Sequence, residues 1–379
     1  MDEKQLNIGF YITGHGFGHA TRATVTIHRL LTLGHRVTII SSTPTFIYQD
    51  LLSTFPHTCA LRNIATLDPG VAQKDAVTVD VDVTMDRLRT FLDGMEGVAQ
   101  QEAEWMRGEG LDVVCLDAPF LPARVAKEVG IPSVMITNFT FDAIFDAIAL
   151  TPSDKALVAR CAEMYTHTSY LIRIPGHISI PAFTAHPSRI IDVPLIVRKS
   201  KLTRDNVRAI LDIPLTAPCV LITFGGFELS HSDGDNPQHV LPDGWYGLIA
   251  SPRADTALSR RLRRICAEKW YMPDLINAAD VVVGKCGYGT CSEVVAHGVP
   301  LVYVPRSGFA EEEGLVENLM KPYGYAVQMP QRHFYEGRWE PYILQAAAMK
   351  KKYTPRAIDC DGEVEASRIV VDLARGRRL

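Results

Sequence analysis

Within 379 residues, the stretch that most restricts the fold is Val281-Val282-Val283-Gly284-Lys285-Cys286-Gly287-Tyr288-Gly289-Thr290 and the run Cys291 to Pro300 behind it. Three consecutive valines have no polar alternation, so they read as a strand covered on both faces, the kind found in parallel sheets. A glycine turn follows, and a helix is expected to open on Thr290, Ser292 and Glu293. Glycines let the backbone approach a ligand, and the free N–H groups at a helix start favour an anion. Lys285, at the strand's carboxyl end, adds a full positive charge. Glu293, one turn into the helix, can accept hydrogen bonds from a ribose diol. The reading is a phosphate seat, and a turn that only joins strand to helix is the alternative.

The rest of the chain repeats this grammar. Ile8 to Thr13 reads as a strand, Gly14-His15-Gly16-Phe17-Gly18-His19 as a loop, and Ala20 to Leu33 as a helix ended by Gly34. A strand at Arg36 to Ser41 follows at once. Such short connections make the two strands parallel, with the helix on one face. Asp112 to Asp117 is expected as a strand ending on an acid, at the carboxyl edge where open parallel sheets gather ligands. Asp80 and Asp82 have the spacing of a metal-binding carboxylate pair, but their alternation with valines favours a half-exposed strand. The segment 186–200, flanked by prolines, reads as a linker between residues 1–185 and residues 201–355, with residues 356–379 as a closing helix. In the second half, Pro218 to Phe224 is a strand ended by Gly225 and Gly226, a second place where backbone can meet phosphate. The polar stretch Glu228 to Gly244 reads as a mobile loop. Tyr271, Met272 and Pro273 are candidates for the edge that meets a nucleotide base.

Composition removes several function classes. A formal net charge of −4 provides no basic field for nucleic acid. No run approaches the ~18 apolar residues of a membrane span. The polar start Met1 to Gln5 passes directly into a strand, so no signal peptide is expected and the expected location is the cytoplasm. Eight cysteines scattered through the chain read as reduced thiols. Cys286 and Cys291 flank the glycine turn at a spacing that matches no common zinc site.

Two signatures make the chain recognisable. Gly14-His15-Gly16-Phe17-Gly18-His19-Ala20-Thr21-Arg22 and Lys285-Cys286-Gly287-Tyr288-Gly289-Thr290 resemble those of GT-B glycosyltransferases, and most of all the glycosyltransferase-like amino-terminal region of plant L-arabinokinase. The kinase motif of that protein does not occur here. More distantly, the chain is similar to UDP-glycosyltransferases and to the bacterial lipid II N-acetylglucosaminyltransferase. The resemblance implies an α/β GT-B fold, with two Rossmann-like domains facing each other across a cleft. It also implies a nucleotide-sugar donor, UDP-linked, and a small-molecule acceptor. Lys285, Gly287, Gly289, Thr290, Gly225 and Gly226 would then lie on the donor diphosphate, Glu293 on the ribose, and Glu312 and Glu313 on the sugar.

The same resemblance points to His19 as the base that takes the acceptor proton, with Asp117 behind it, in a direct and inverting displacement. Histidine suits this work because its unperturbed pKa lies near neutrality, and a carboxylate fixes its tautomer. His15 and Arg22 are candidate contacts to acceptor or phosphate. Preorganised positive charge at the turn can take the place of a cation, so no metal and no cofactor are expected. A sugar-nucleotide epimerase or hydrolase on this fold, or a nucleotide-sugar-binding regulatory module, are the alternatives.

Overall fold

A computed structural model describes residues 4–64, 67–75, 78–224, 241–251 and 256–377. Gly225 and Gly226, together with most of the Glu228 to Gly244 loop, lie outside the described residues. The first half contributes β1 (Asn7–Ile12), β2 (Arg36–Ser41), β3 (Cys59–Asn63), β4 (Gln73–Asp75), β5 (Thr78–Val79), β6 (Val113–Asp117), β7 (Ser133–Thr137), β8 (Tyr170–Arg173) and β9 (Ile190–Asp192). Seven of these form one sheet in the order β3-β2-β1-β6-β7-β8-β9, while β4 and β5 pair as a separate hairpin. All neighbours in the large sheet are parallel. From β1 the chain winds outward one way to β3 and then returns to β6 on the other side. The carboxyl ends of β1 and β6 therefore border the crevice that such a reversal opens.

The second half repeats this layout with β10 (Cys219–Thr223), β11 (Tyr246–Ser251), β12 (Thr256–Ala257), β13 (Leu262–Cys266), β14 (Val281–Gly284), β15 (Leu301–Tyr303) and β16 (Ala326–Gln328). Their order is β12-β13-β11-β10-β14-β15-β16, and the reversal falls between β10 and β14. Thr223 pairs with Gly284 there, and a Cβ on Gly284 would stand 2.2 Å from the Thr223 carbonyl oxygen, so only glycine lets these strands close up. β13 escapes a sequence reading because Arg263 and Arg264 interrupt its apolar pattern.

Ile190–Asp192 pairs with β8 and so extends the first sheet into the segment read as a linker. Three residues between Pro187 and Pro194 are too few to show a period. Asp80 is not a strand residue: it caps the helix Val81–Glu109, its Oδ1 accepting from the Val83 N–H at 3.2 Å, so its spacing to Asp82 has a helical cause. The helix Gly362–Ala374 closes the described chain and buries Ala366, Ile369 and Val370. It packs on the first helix, Phe17–Thr32, and its apolar residues join one core that runs through both lobes. Among the described residues no helix is long and apolar enough to cross a membrane, and all eight cysteines are free thiols.

Candidate active site

The first helix begins at Phe17, not at Ala20 as expected. Gly16 has φ 84°, a left-handed conformation open to glycine, and it turns the chain sharply enough for Phe17 and Gly18 to enter the helix. His19 is therefore placed by a rigid helix, and its ring is buried. Asp117 ends β6 beside it, with Oδ1 2.8 Å from His19 Nδ1. Arg22 Nη2, a donor only, also stands 2.9 Å from Nδ1; an ionised carboxylate accepts only, so the tautomer that serves the Asp117 contact carries its proton on Nδ1 and keeps a lone pair on Nε2.

Arg22, one turn further along, is buried as well. Its Nε donates to Asp117 Oδ2 at 2.7 Å and its Nη2 to Oδ1 at 2.5 Å. Nη2 also donates to Thr137 Oγ1 at 3.0 Å, and Nη1 donates to Asn138 Oδ1. Arg22 was expected to meet an acceptor or a phosphate; its nitrogens face Asp117, Thr137, Asn138 and His19 Nδ1 instead. Burial by itself raises the Asp117 carboxyl, but the Arg22 guanidinium and the His19 imidazole together hold it below the ordinary carboxylate range. The acid behind His19 is thus kept charged.

Ala118, the next residue, has φ 79°, where a side chain costs about 1–2 kcal/mol. The buried Tyr165 hydroxyl holds this conformation, donating to the Ala118 carbonyl at 2.5 Å and accepting from the Phe141 N–H at 3.0 Å. Tyr165→Phe would orphan both backbone groups, and chemical denaturation is expected to show a loss of roughly 2–4 kcal/mol. A loss under 0.5 kcal/mol would show that the hydroxyl does not hold the turn, by the usual scale of a neutral surface change.

On the second lobe, β14 delivers Lys285 and Gly287 to the start of the helix Tyr288–Ala296, which begins two residues before the expected Thr290. Gly289 lies against the tip of the first helix: a Cβ there would be 3.8 Å from Gly18 Cα and 3.6 Å from Thr21 Oγ1. The two helices meet start to start. Neither has a side-chain cap or an acid in its first turn. Two positive dipole ends that converge without a capping carboxylate favour an anion between them. Thr290 is half-buried beside this point. Burial, and then the nearby Arg306 charge, pull the Lys285 ammonium down to about 8.

Tyr288 puts its ring under the Arg22 guanidinium, 4.6 Å from carbon to centroid, so the lobes also join through a cation–π contact.

The acids fall out differently from the sequence reading. Glu293 is buried and paired with Arg198, its Oε1 receiving Nη2 at 2.6 Å and Nε at 2.8 Å. Burial raises its carboxyl and Arg198 opposes that rise. Arg198 and Lys201 lie over the Tyr271 ring at 5.3 and 4.6 Å, which brings Tyr271 and Glu293 into one cluster. Glu312 is held by Arg306, through Nε at 2.8 Å and the backbone N–H at 2.9 Å. Glu313 is exposed. The acid that reaches across is Glu311, which accepts from Asn138 Nδ2 at 3.0 Å and so ends the chain Asp117, Arg22, Asn138, Glu311.

Sequence reasoning missed Arg198, Arg306, Asn138 and Glu311. The signal available for the first two was an arginine facing a buried acid, which appears only after folding. His15 stands on the loop before the first helix, its Nε2 3.4 Å from Asp68 Oδ1.

Comparison with known proteins bears out the resemblance. Residues 270–318, the segment that carries the glycine turn, match the Glycosyltransferase family 28 C-terminal domain. L-Arabinokinase of Arabidopsis thaliana is 33% identical over 377 residues, which is 99% of this chain and 35% of that protein. The chain thus spans about a third of the relative it matches. Among solved structures, the calicheamicin glycosyltransferase CalG4 aligns with a TM-score of 0.65 at 14% identity, covering 99% of both chains. Arabidopsis thaliana UGT89C1 in complex with UDP-L-rhamnose aligns at 0.61 and 13%, covering 99% of this chain and 96% of that one. At such identities the likeness carries the fold alone, and that fold is GT-B.

Proposed function

We propose that this chain is a glycosyltransferase that moves a sugar from a UDP-linked donor to a small-molecule acceptor by direct, inverting displacement. What carries the reading is the opposition of two features: an imidazole backed by a charged, buried carboxylate on one lobe, and an uncapped helix start with a lysine on the other. In this reading Asp117 stabilises the imidazolium that forms when His19 Nε2 takes the acceptor proton. The paired helix starts, Lys285 and the Thr290 hydroxyl take up the charge that builds on the departing diphosphate, as fixed dipoles and charges do in a water-poor cleft. Neither task calls for a metal ion or a cofactor.

Glu293 would reach the ribose only by sharing or leaving Arg198. The sugar contact falls to Glu311 in place of Glu312 and Glu313, because it is the acid at the interlobe junction and the other two are an ion-paired and an outward-facing residue. UGT89C1, a structural neighbour, has been solved with UDP, UDP-L-rhamnose and quercetin, which supports a nucleotide-sugar and acceptor pair for a chain of this fold.

The deciding experiment is release of UDP from a panel of UDP-sugars with and without mixed hydroxyl acceptors. Release that depends on acceptor is expected. Release at the same rate without acceptor would replace the transferase with a hydrolase, and tight donor binding with no release would leave a binding module.

A further inference from the structure

A second histidine–aspartate contact has no task in the mechanism above. The Asp68 side chain is 1% exposed. Its Oδ1 receives the Thr13 hydroxyl at 3.1 Å and lies 3.4 Å from His15 Nε2. Its Oδ2 is buried with no hydrogen-bond partner among the described residues. The same Thr13 hydroxyl accepts from the His15 backbone N–H at 3.2 Å, so one side chain ties the acid to the loop that carries the histidine.

Gly70 completes the seat: it has φ 56°, and a Cβ on it would fall 2.0 Å from His15 Nε2 and Cδ2 and 2.1 Å from Cε1. Only glycine leaves room for the ring there. Taking a carboxylate out of water costs several kcal/mol, even after relaxation. A loop histidine of no consequence would not need one behind it. Yet the His15 side chain remains 36% exposed. Asp68 and Gly70 both meet the ring at its Nε2 end.

We propose that His15, oriented by Asp68 and Gly70, recognises the acceptor by accepting a hydrogen bond at Nδ1 from a second hydroxyl of a polyol. The inference rests on the transferase reading and names its acceptor class. Burial raises the Asp68 carboxyl, while His15 and the Thr13 hydroxyl oppose that rise; in the tautomer that turns Nε2–H toward Asp68, Nδ1 offers a lone pair, which takes a hydrogen-bond donor. His15 stands four residues before His19, where β1 meets the crevice. An acceptor with one hydroxyl at His19 and a neighbouring one at His15 satisfies both rings, whereas a simple alcohol leaves the second ring unpaired. A site built to pair a hydroxyl rejects the analogue that lacks it. His15 is thus a specificity residue, and Asp68 is a positioning residue that acts through it.

The test uses the full chain saturated with UDP, with cis-1,2-cyclohexanediol and cyclohexanol as probes in saturation-transfer NMR. The diol is expected to bind roughly ten-fold tighter than the mono-ol in the wild type. His15→Leu and Asp68→Leu should both abolish that preference, while His15→Asn, whose amide oxygen stands near the place of Nδ1, should restore part of it. Thermal melts separate a lost fold from a lost contact. In turnover with an active donor, His15→Leu should raise KM for the diol about 10-fold or more and leave kcat within a few-fold, the opposite of a lost base. A wild type with no preference for the diol, or a His15→Leu variant that keeps it, overturns the proposal. Because the binding arm needs no turnover, diol binding that depends on His15 in a protein without transfer would count against the transferase reading and not against this one.

Discussion

Replacing His19 by alanine is expected to lower kcat by about two to four orders of magnitude, the usual worth of a positioned general base. Binding of the UDP donor, measured by calorimetry, should stay within a few-fold of wild type. The reason lies in the geometry: the ring contacts Asp117 through Nδ1, 2.8 Å away, and in the proposed mechanism Nε2 would take the acceptor proton. The ring would make no part of the proposed diphosphate seat, whose members are on the second lobe and at the backbone of the helix starts. A comparable loss of donor affinity would assign His19 to the donor and remove it as the base.

Asp117→Asn separates the two duties of the acid. It should slow transfer, because a neutral amide no longer balances the imidazolium. It should also destabilise the fold by roughly 3–5 kcal/mol, because Arg22 is left as an uncompensated buried charge. His19→Ala, by contrast, leaves the Arg22–Asp117 pair in place and should fold normally. Product analysis by NMR should find the anomeric configuration inverted, and retention would exclude direct displacement.

The second large effect concerns the diphosphate. Lys285→Ala is expected to weaken UDP binding roughly 10- to 100-fold, the value of a charge-assisted hydrogen bond in a sheltered site, with uridine affinity nearly unchanged. The ammonium titrates near 8 in the free protein because burial and Arg306 work against its charge. An anion at the turn favours the charged form and raises that value. The sign follows: below about 8 the lysine is already charged and UDP affinity should be flat, while above it each bound UDP must take up a proton. Affinity should then fall by up to about ten-fold per pH unit, and calorimetry in buffers of different ionisation heat should detect the uptake. Lys285→Met should bind weakly at every pH and show no such slope. A wild type whose affinity for UDP is the same at pH 7 and pH 9.5 would remove Lys285 from the anion site.

The largest part of the local architecture was legible because its causes are local. Valine runs, a glycine-rich turn and short connections determine strand, turn and helix within a dozen residues, and two such series determine two parallel-sheet lobes. Asp117 as the last residue of β6 and Lys285 as the residue just past β14 follow from the same rule, since a strand's final residues stand at its carboxyl edge. Where a local cue was misleading, the structure shows why. The alternation of Asp80, Val81 and Asp82 is the cap and first turn of a helix, and Ile190–Asp192 is a strand too short to announce itself.

The partners of the charged groups were not legible. Arg22 and Asp117 are 95 positions apart in the chain, as are Arg198 and Glu293, and nothing along the sequence ties either pair together. The order of Glu311, Glu312 and Glu313 likewise does not say which of them reaches Asn138. By itself, then, the sequence determined the α/β units, the glycine turn with its lysine, and the histidine and aspartate that end up together. Only the tertiary structure decided which arginine neutralises which acid, that two helix starts meet without caps, and that His15 has a buried carboxylate behind it. The physical reason is range: propensity and periodicity act over one or two turns of chain, whereas the cost of burying a charge is settled by whatever group the fold brings within about 3 Å, from any distance along the sequence.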